Sequence, residues 1–333
     1  MNLLVTGGLG FIGSNFIRHS LLNNVHDKII NIDNLSVGSN PANLKDVEND
    51  RKYSFVKGNI TDFSLVDQYS TNVNVIVNFA AESHVDRSIA NPEPFIKSNV
   101  VGTYTLLEAA RMHDMEIFLH ISTDEIYGEA DSTRTFKETD LLRPSNPYAA
   151  TKAAAEHLVS AYQRTYGLKC IIARCSNNFG PYQFPEKLIP KTIIRALKGL
   201  KVPLYGKGNQ IRSWIYVLDH VEALNLILTK GKTGEIYNVS AWNEITNIGI
   251  VTKILDMMDK STNLVEYVED RPGHDKRYSI DASKIQEHLG WRPKYEFEEA
   301  LQETVNWYIK NEWWWSSLAD EKTLHPTPWK LKW

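Results

Sequence analysis

Two short segments of this chain have the residue types and spacing to do chemistry. Tyr148-Ala149-Ala150-Thr151-Lys152 reads Y-x-x-x-K, and on a helix positions i and i+4 share a face. An ammonium beside a phenol favours the phenolate, lowering a pKa of about 10 towards the range in which tyrosine acts as a base. The second segment, Ile121-Ser122-Thr123-Asp124-Glu125-Ile126-Tyr127-Gly128, places a hydroxyl before two adjacent carboxylates. Each signal has an ordinary explanation: Y-x-x-x-K commonly marks a solvated helix face, and paired acids a loop or helix start. Their weight comes from what precedes them in the chain.

Thr6-Gly7-Gly8-Leu9-Gly10-Phe11-Ile12-Gly13 follows an apolar run and opens a helical pattern, with glycines spaced G-x-x-G-x-x-G. Glycines at Gly7, Gly10 and Gly13 let the backbone turn tightly and approach a pyrophosphate, whose charge meets free N–H groups at the helix N-terminus. Asp33 stands 20 residues after Gly13, where a carboxylate can accept hydrogen bonds from an adenosine ribose. A carboxylate there repels a 2′-phosphate, and its neighbours Asn34, Leu35 and Ser36 include no arginine, so the pattern favours NAD over NADP. Beside a nicotinamide and a tyrosine base, Asp124 and Glu125 can divide the work of acid and base, each with its pKa set by its surroundings.

The elements that must position these groups follow from the apolar pattern. Strand candidates are residues 3–6, 29–33, 75–80, 117–122 and 170–174, alternating with helical spacing over 12–24, 95–113 and 147–166. Such alternation predicts a parallel sheet wrapped by helices, an α/β doubly wound domain of the Rossmann type, with the acid pair at the carboxyl end of a strand where open parallel sheets bind ligands. Beyond Arg174 the texture changes to clustered Pro, Gly and aromatics, while residues 235–240 again resemble a buried strand. The expected organisation is an NAD-binding domain of residues 1–175 plus about 214–242, and a smaller, discontinuous substrate lobe of about 176–213 and 243–333.

Composition limits the alternatives. The 333 residues are 42% hydrophobic and 23% charged, an ordinary globular composition. A net charge of −3 lacks the basic excess that a nucleic-acid groove or an anionic membrane requires. Any phosphate-bearing ligand must therefore be held by local cations. The two cysteines, Cys170 and Cys175, are five apart in one strand candidate and point to opposite faces, so no disulfide is expected. Ten scattered histidines and no C-x-x-C or H-E-x-x-H spacing give no metal site. With no signal-peptide pattern and no apolar run of membrane-spanning length, a cytoplasmic setting is expected.

The segments TGGLGFIGS, NFAAESHVDRSI, STDEIYGE, YAATK, RCSNNFGPYQFPEKLIP, YGKGNQIRSWIYVLDH and DRPGHDKRYSID together resemble the extended short-chain dehydrogenase/reductases and, within them, the dTDP-D-glucose 4,6-dehydratases. The likeness spans roughly residues 1–312. It implies that Phe11, Ile12, Asp33, Asn34, Ser36, Asn59, Ile60, Ala80, Ala81, Ser98, Tyr148, Lys152 and Asn178 line NAD. It also implies that Ser83, Thr123, Asn177, Lys187, Leu188, Pro203, Tyr205, Arg212, Asn247, Arg271 and His274 surround a nucleotide-sugar, with Lys187, Arg212 and Arg271 as donors to its diphosphate. His84 either orients its loop or touches ligand. Asn59 stands where the family has an Asp near the adenine, which weakens that contact, and Ser98 replaces a Thr while keeping the hydroxyl. After Glu312 the likeness ends in Trp313, Trp314, Trp315, Trp329 and Trp333, an aromatic tail expected to pack on the body or on a partner subunit.

The implied activity is a lyase reaction on dTDP-glucose with NAD as a regenerated cofactor and Thr123, Asp124, Glu125, Tyr148 and Lys152 as catalytic residues, supplying deoxysugar precursors of the rhamnose type. The same likeness implies a cytoplasmic homodimer formed through helices 95–113 and 147–166. Rival readings are another nucleotide-sugar 4,6-dehydratase, a UDP-hexose 4-epimerase or decarboxylase of the superfamily, and a non-catalytic NAD-binding regulator. Epimerases generally have Ser-x-Ala in place of Thr123-Asp124-Glu125, and a regulator has no use for the full set.

Overall fold

The computed structural model describes residues 1–333. The first half runs β1 (Asn2–Thr6), α1 (Phe11–Leu22), β2 (Lys28–Asp33), β3 (Tyr53–Lys57), α2 (Phe63–Ser70), β4 (Val75–Asn78), α3 (Val85–Ala90), α4 (Glu93–Phe95), a π-helical turn (Ile96–Gly102), α5 (Thr103–Met112), β5 (Ile117–Thr123), α6 (Pro147–Tyr166) and β6 (Cys170–Cys175). The second half adds β7 (Asn177–Phe179), α7 (Leu188–Leu197), β8 (Val202–Tyr205), β9 (Ile211–Tyr216), α8 (Val217–Lys230), β10 (Ile236–Val239), β11 (Asn243–Thr246), α9 (Asn247–Met257), β12 (Val265–Val268), α10 (Ser283–Leu289), α11 (Phe297–Lys310) and α12 (Glu312–Trp315).

Seven parallel strands form the main sheet in the order β10-β6-β5-β4-β1-β2-β3. Its central strands are continuous apolar runs because both faces are covered. Leu3, Val5, Ile29, Val75, Leu119 and Ile171 pack on α1 and α8 residues, whereas Leu4, Ile30, Ile76, Phe118 and Ile172 face the side of α2, α5 and α6. The doubly wound α/β expectation therefore holds. Strand β3 was not among the sequence candidates. It is an edge strand, Tyr53 to Lys57, with Ser54, Phe55 and Lys57 exposed, so it lacks the apolar run by which buried strands announce themselves. Cys170 and Cys175 are both buried and unpaired.

The second lobe holds a three-stranded sheet, β11-β9-β7, and a two-stranded pair, β12-β8, packed with α7, α9 and α11. Trp214 and Tyr216 of β9 lie in the lobe's core and Ile215 between them lies in the core of the main sheet, so the chain crosses between the two within β9. Ala282, Ile285 and Trp291 pack into the core of the main sheet, placing α10 with the first domain although it lies inside 243–333. Helical spacing alone does not reveal which neighbour an amphipathic face will choose.

Trp314 and Trp315 are each 2% exposed in the lobe core. The indole N–H of Trp314 donates to Asn43 Oδ1 at 2.7 Å, and that of Trp315 to the Tyr308 carbonyl at 2.8 Å. The tail thus packs on the body of its own chain.

Candidate active site

The glycine-rich turn joins β1 to α1 at the carboxyl edge of the main sheet. Gly7 adopts φ +70°, and a Cβ there would stand 2.6 Å from the backbone of Ala80. A Cβ on Gly13 would stand 2.6 Å from the Gly7 carbonyl oxygen, so this helix can lie against the turn only without one. Gly10, at the N-cap of α1, offers no side-chain cap, and the first turn carries no acid. Its leading N–H groups are therefore free to meet an anion. Asp33 ends β2, buried; its Oδ2 accepts from Leu9 N at 3.0 Å and its Oδ1 from Leu35 N at 2.9 Å. Burial raises its pKa while these N–H donors oppose the shift. Each oxygen keeps a further lone pair for a ribose hydroxyl. An ungated glycine cradle, an uncapped helix and a fixed carboxylate fit a dinucleotide.

The catalytic segments converge from β5 and α6. Asn146 caps α6, accepting from Ala149 N at 2.9 Å, with Pro147 at the first helical position. Tyr148 and Lys152 are thereby fixed on the first turns, both buried. Lys152 Nζ donates to the Ile121 carbonyl at 2.6 Å and lies 3.5 Å from His120 Nε2. Burial lowers its pKa to about 8. Lys152 makes no hydrogen bond to the Tyr148 phenol. Burial, then the charges of Glu125 and Cys175, raise the Tyr148 pKa well above 10, with the Thr123 hydroxyl opposing. The ammonium is engaged by the β5 carbonyl instead of the phenol.

Thr123 closes β5 and caps the 3₁₀ turn Asp124–Tyr127, accepting from Glu125 N at 3.3 Å and donating to Asp124 Oδ1 at 3.3 Å. The two acids meet different surroundings. Asp124 is 2% exposed, its Oδ2 has no hydrogen-bond partner, and burial followed by the Glu125 charge pushes its pKa up to about 8. Glu125 is half-buried, with its Oε2 3.4 Å from both Asn146 Nδ2 and the Tyr278 hydroxyl.

A cleft of about 260 Å³ runs from the glycine turn to the acid pair. It is lined by all five catalytic candidates and by Gly7, Gly10, Phe11, Ile12, Gly13, Asp33, Asn34, Ser36, Ile60, Ala80, Ala81, Ser98 and Asn178. Asn59 is the exception: it is exposed, and its Oδ1 accepts from Thr61 N and Oγ1 at 3.0 Å, closing the turn before α2. That local bond competes with any ligand contact. Ser98 reaches the cleft from the π-helical turn, whose Asn99 grips both backbone groups of Glu82 and also Thr151 of α6.

A second cleft of about 160 Å³ adjoins the first, sharing Glu125, Asn177, Asn178, Gln183, Glu186 and Lys187. Leu188, Pro203, Tyr205, Arg212, Asn247, Arg271 and His274 line it, and Ser83 and Thr123 stay in the first cleft. Lys187 Nζ donates to the Ser83 carbonyl at 2.8 Å, tying the two clefts together. Arg212 donates to the carbonyls of Ile211 and Asp275 and lies 4.2 Å over the Tyr278 ring.

Residues without an assigned role complete this wall. Asp86 accepts from Arg271 Nη1 at 2.8 Å and from the Tyr205 hydroxyl at 2.7 Å, and against the effect of burial the Arg271 charge and these two hydrogen bonds hold its carboxyl below the usual range. Glu186 accepts from Arg87 Nε and Nη2, with His84 Nδ1 3.5 Å away. His84 itself lines the cleft and is kept neutral by burial, its pKa lowered to about 3. Asp86 and Glu186 lie in the segments NFAAESHVDRSI and RCSNNFGPYQFPEKLIP, yet an isolated acid in either string carries no spacing signal.

Comparison with known proteins gives the same picture. Residues 4–304 match the family model for GDP-mannose 4,6 dehydratase. The dTDP-glucose 4,6-dehydratase of Escherichia coli is 46% identical, covering 94% of each chain. The chain belongs to the dTDP-glucose 4,6-dehydratase family. The low-salt glycan biosynthesis protein Agl12 of Haloferax volcanii is 49% identical over 93% of this chain and 99% of its own. The crystal structure of the Streptomyces venezuelae dTDP-glucose 4,6-dehydratase DesIV, with NAD and dTDP bound, superposes with a TM-score of 0.93 at 45% identity, covering 96% of this chain and all of that one.

Proposed function

We propose that this chain is an NAD-dependent hydro-lyase that converts dTDP-D-glucose to dTDP-4-dehydro-6-deoxy-D-glucose. The observation that carries this reading is the unlike acid pair, Asp124 sealed from water with an unpartnered Oδ2 and Glu125 half-buried, beside Tyr148 and Lys152 in one cleft. The β1–α1 turn and Asp33 would hold NAD, which would supply a two-electron acceptor for the hydrogen that passes from C4 to C6 of the sugar, so that no net oxidation occurs. Tyr148, with Thr123 beside it, takes the C4 hydroxyl proton as C4 becomes a ketone; the positive charge of oxidised nicotinamide favours that ionisation. The ketone acidifies C5–H. Glu125 removes the C5 proton and Asp124 gives its proton to the C6 hydroxyl, which leaves as water. Reprotonation at C5 completes the 4-keto-6-deoxy sugar.

The second cleft is assigned to the nucleotide-sugar, with Lys187, Arg212 and Arg271 meeting the diphosphate. Residues 1–175, α8, β10 and α10 form the NAD-binding unit and the rest the substrate lobe. Exposed apolar side chains at Ile96, Val101, Tyr104, Met112 and Tyr166 support a homodimer paired through α5 and α6. No helix is long and apolar enough to cross a membrane, and a cytoplasmic enzyme feeding a rhamnose-type pathway is the assignment we favour. The epimerase reading leaves Asp124 and Glu125 without work. The test is incubation with dTDP-glucose, without added NAD and with UDP-, CDP- and GDP-glucose in parallel. A 4-keto product from dTDP-glucose is expected, and a C4-inverted sugar would replace this reading by the epimerase one.

A further inference from the structure

A segment with a single 3₁₀ turn and no strand holds one place on a protein surface only where it is tied down. Residues 325–333 are tied down at four places. Trp329, in the turn Pro328–Lys330, is buried and meets the Tyr205 ring edge-on with centroids 4.8 Å apart. The Trp333 ring lies 5.6 Å from the Arg87 guanidinium on α3, and its indole N–H donates to the Pro328 carbonyl at 2.9 Å. Lys330 forms an ion pair with Glu269. The His325 carbonyl accepts from Lys191 Nζ of α7 at 3.3 Å.

These anchors lie on α3, β8, the segment after β12, and α7. Each of these also supplies a wall of the second cleft, respectively through Asp86, Tyr205, Arg271 and Lys191. Trp329 itself lines neither cleft. It braces Tyr205, whose hydroxyl holds Asp86, which in turn holds Arg271. Tyr205 also contacts His274 edge-on, centroids 6.0 Å apart, so the ring's placement bears on two further cleft residues. An aromatic ring fixed edge-to-face has a defined tilt as well as a defined position. Removing the indole frees the ring to turn, and the donor set of Asp86 is then no longer fixed before ligand arrives.

We propose that the C-terminal tail is a clasp that preorganises the nucleotide-sugar cleft, with Trp329 its positioning residue for Tyr205, Asp86 and Arg271. This rests on the assignment of the second cleft to the nucleotide-sugar. The cofactor cleft makes none of these contacts, so the clasp separates sugar-nucleotide affinity from NAD retention.

The experiment uses the full chain as wild type, Trp329→Ala, Trp329→Phe and Lys330→Ala. It reads kcat and KM for dTDP-glucose, the Kd of dTDP by equilibrium dialysis, and NAD bound per chain. Trp329→Ala is expected to raise KM and the dTDP Kd about tenfold while kcat stays within about threefold and NAD content is unchanged, the signature of lost ground-state binding. Trp329→Phe, which keeps an edge-to-face ring, is expected to restore most of the affinity. Lys330→Ala, at an exposed position and no threat to folding, is expected to raise KM by roughly two- to threefold, the scale of a surface ion pair. Unchanged KM and Kd in Trp329→Ala and Lys330→Ala would overturn the proposal. So would parallel losses of kcat, NAD and affinity that Phe does not rescue, which mark a general structural role. Wild type that binds dTDP but forms no 4-keto product would defeat the catalytic reading alone, with the dTDP Kd values still deciding the clasp. Wild type that binds neither ligand would defeat both.

Discussion

The two clefts of this molecule are built in opposite ways. The cofactor cleft is made largely by backbone: a glycine turn, an uncapped helix and one carboxylate, all within 33 residues of the start. The substrate cleft is made by charged side chains from elements up to 185 residues apart, as in the pair Asp86–Arg271. Backbone recognition fails when a side chain is added, and side-chain recognition fails when one is removed. The catalytic segments, β5 with its 3₁₀ turn and the start of α6, sit at the seam where Glu125 and Lys187 belong to both.

That contrast predicts separable defects. The largest belongs to the seam: Tyr148→Phe should slow oxidation at C4 by roughly 10³-fold, within the range of general acid–base catalysis. Rapid-mixing measurement of NADH formation checks this, and a normal first oxidation would remove the tyrosine from its role. Asp124→Asn and Glu125→Gln should lose dehydration by about 10²-fold or more while still exchanging hydrogen at C4. A variant with near-normal dehydration would have its carboxylate misassigned.

Substitutions within one cleft should be smaller and should not cross to the other. Arg212→Ala should raise KM for the nucleotide-sugar by about 10- to 100-fold through loss of charge-assisted bonds, with NAD still bound after purification. Gly7→Ala should do the reverse. Its strain of about 1–3 kcal/mol should weaken NAD retention by roughly tenfold, read as NAD released on gel filtration, with KM for sugar unchanged when NAD is supplied. A variant that lost both ligands equally would break the comparison.

The smallest effect is a pH limb. Asp124 must be protonated to act, and its pKa is raised to about 8, so dehydration should fall as pH rises through about 8. Lys152 also titrates near 8 because burial lowers it, and its ammonium is lost over the same window. In Asp124→Asn the residual dehydration should lose the Asp124 limb. A dehydration rate flat to pH 10 would contradict both assignments.

Legibility in the sequence followed the same division. Gly7, Gly10, Gly13 and Asp33 were readable from spacing, since a βα turn is local and its geometry is written in consecutive residues. The Tyr148/Lys152 and Asp124/Glu125 groups were readable as types, but their protonation was not. That depends on Lys152 finding the Ile121 carbonyl and on Asp124 being sealed from water. Edge strand β3 escaped because one side of it meets solvent, and the side chain of Asn59 stands off the cleft because its amide serves its own turn. Asp86, Glu186 and the Trp329 contact are products of tertiary packing over more than 90 residues of separation, beyond what periodicity or spacing records.

The central claim is that one site oxidises C4, eliminates water across C5 and C6, and reduces C6 with the hydrogen it removed. The direct measurement is conversion of dTDP-glucose carrying deuterium at C4, mixed with unlabelled substrate, in ordinary water. The account predicts deuterium in the C6 methyl group of the product with no scrambling between molecules, because the reduced cofactor stays bound throughout. Label recovered at C4 of an inverted sugar, or a methyl group whose third hydrogen comes from solvent, would contradict it even with NAD binding intact.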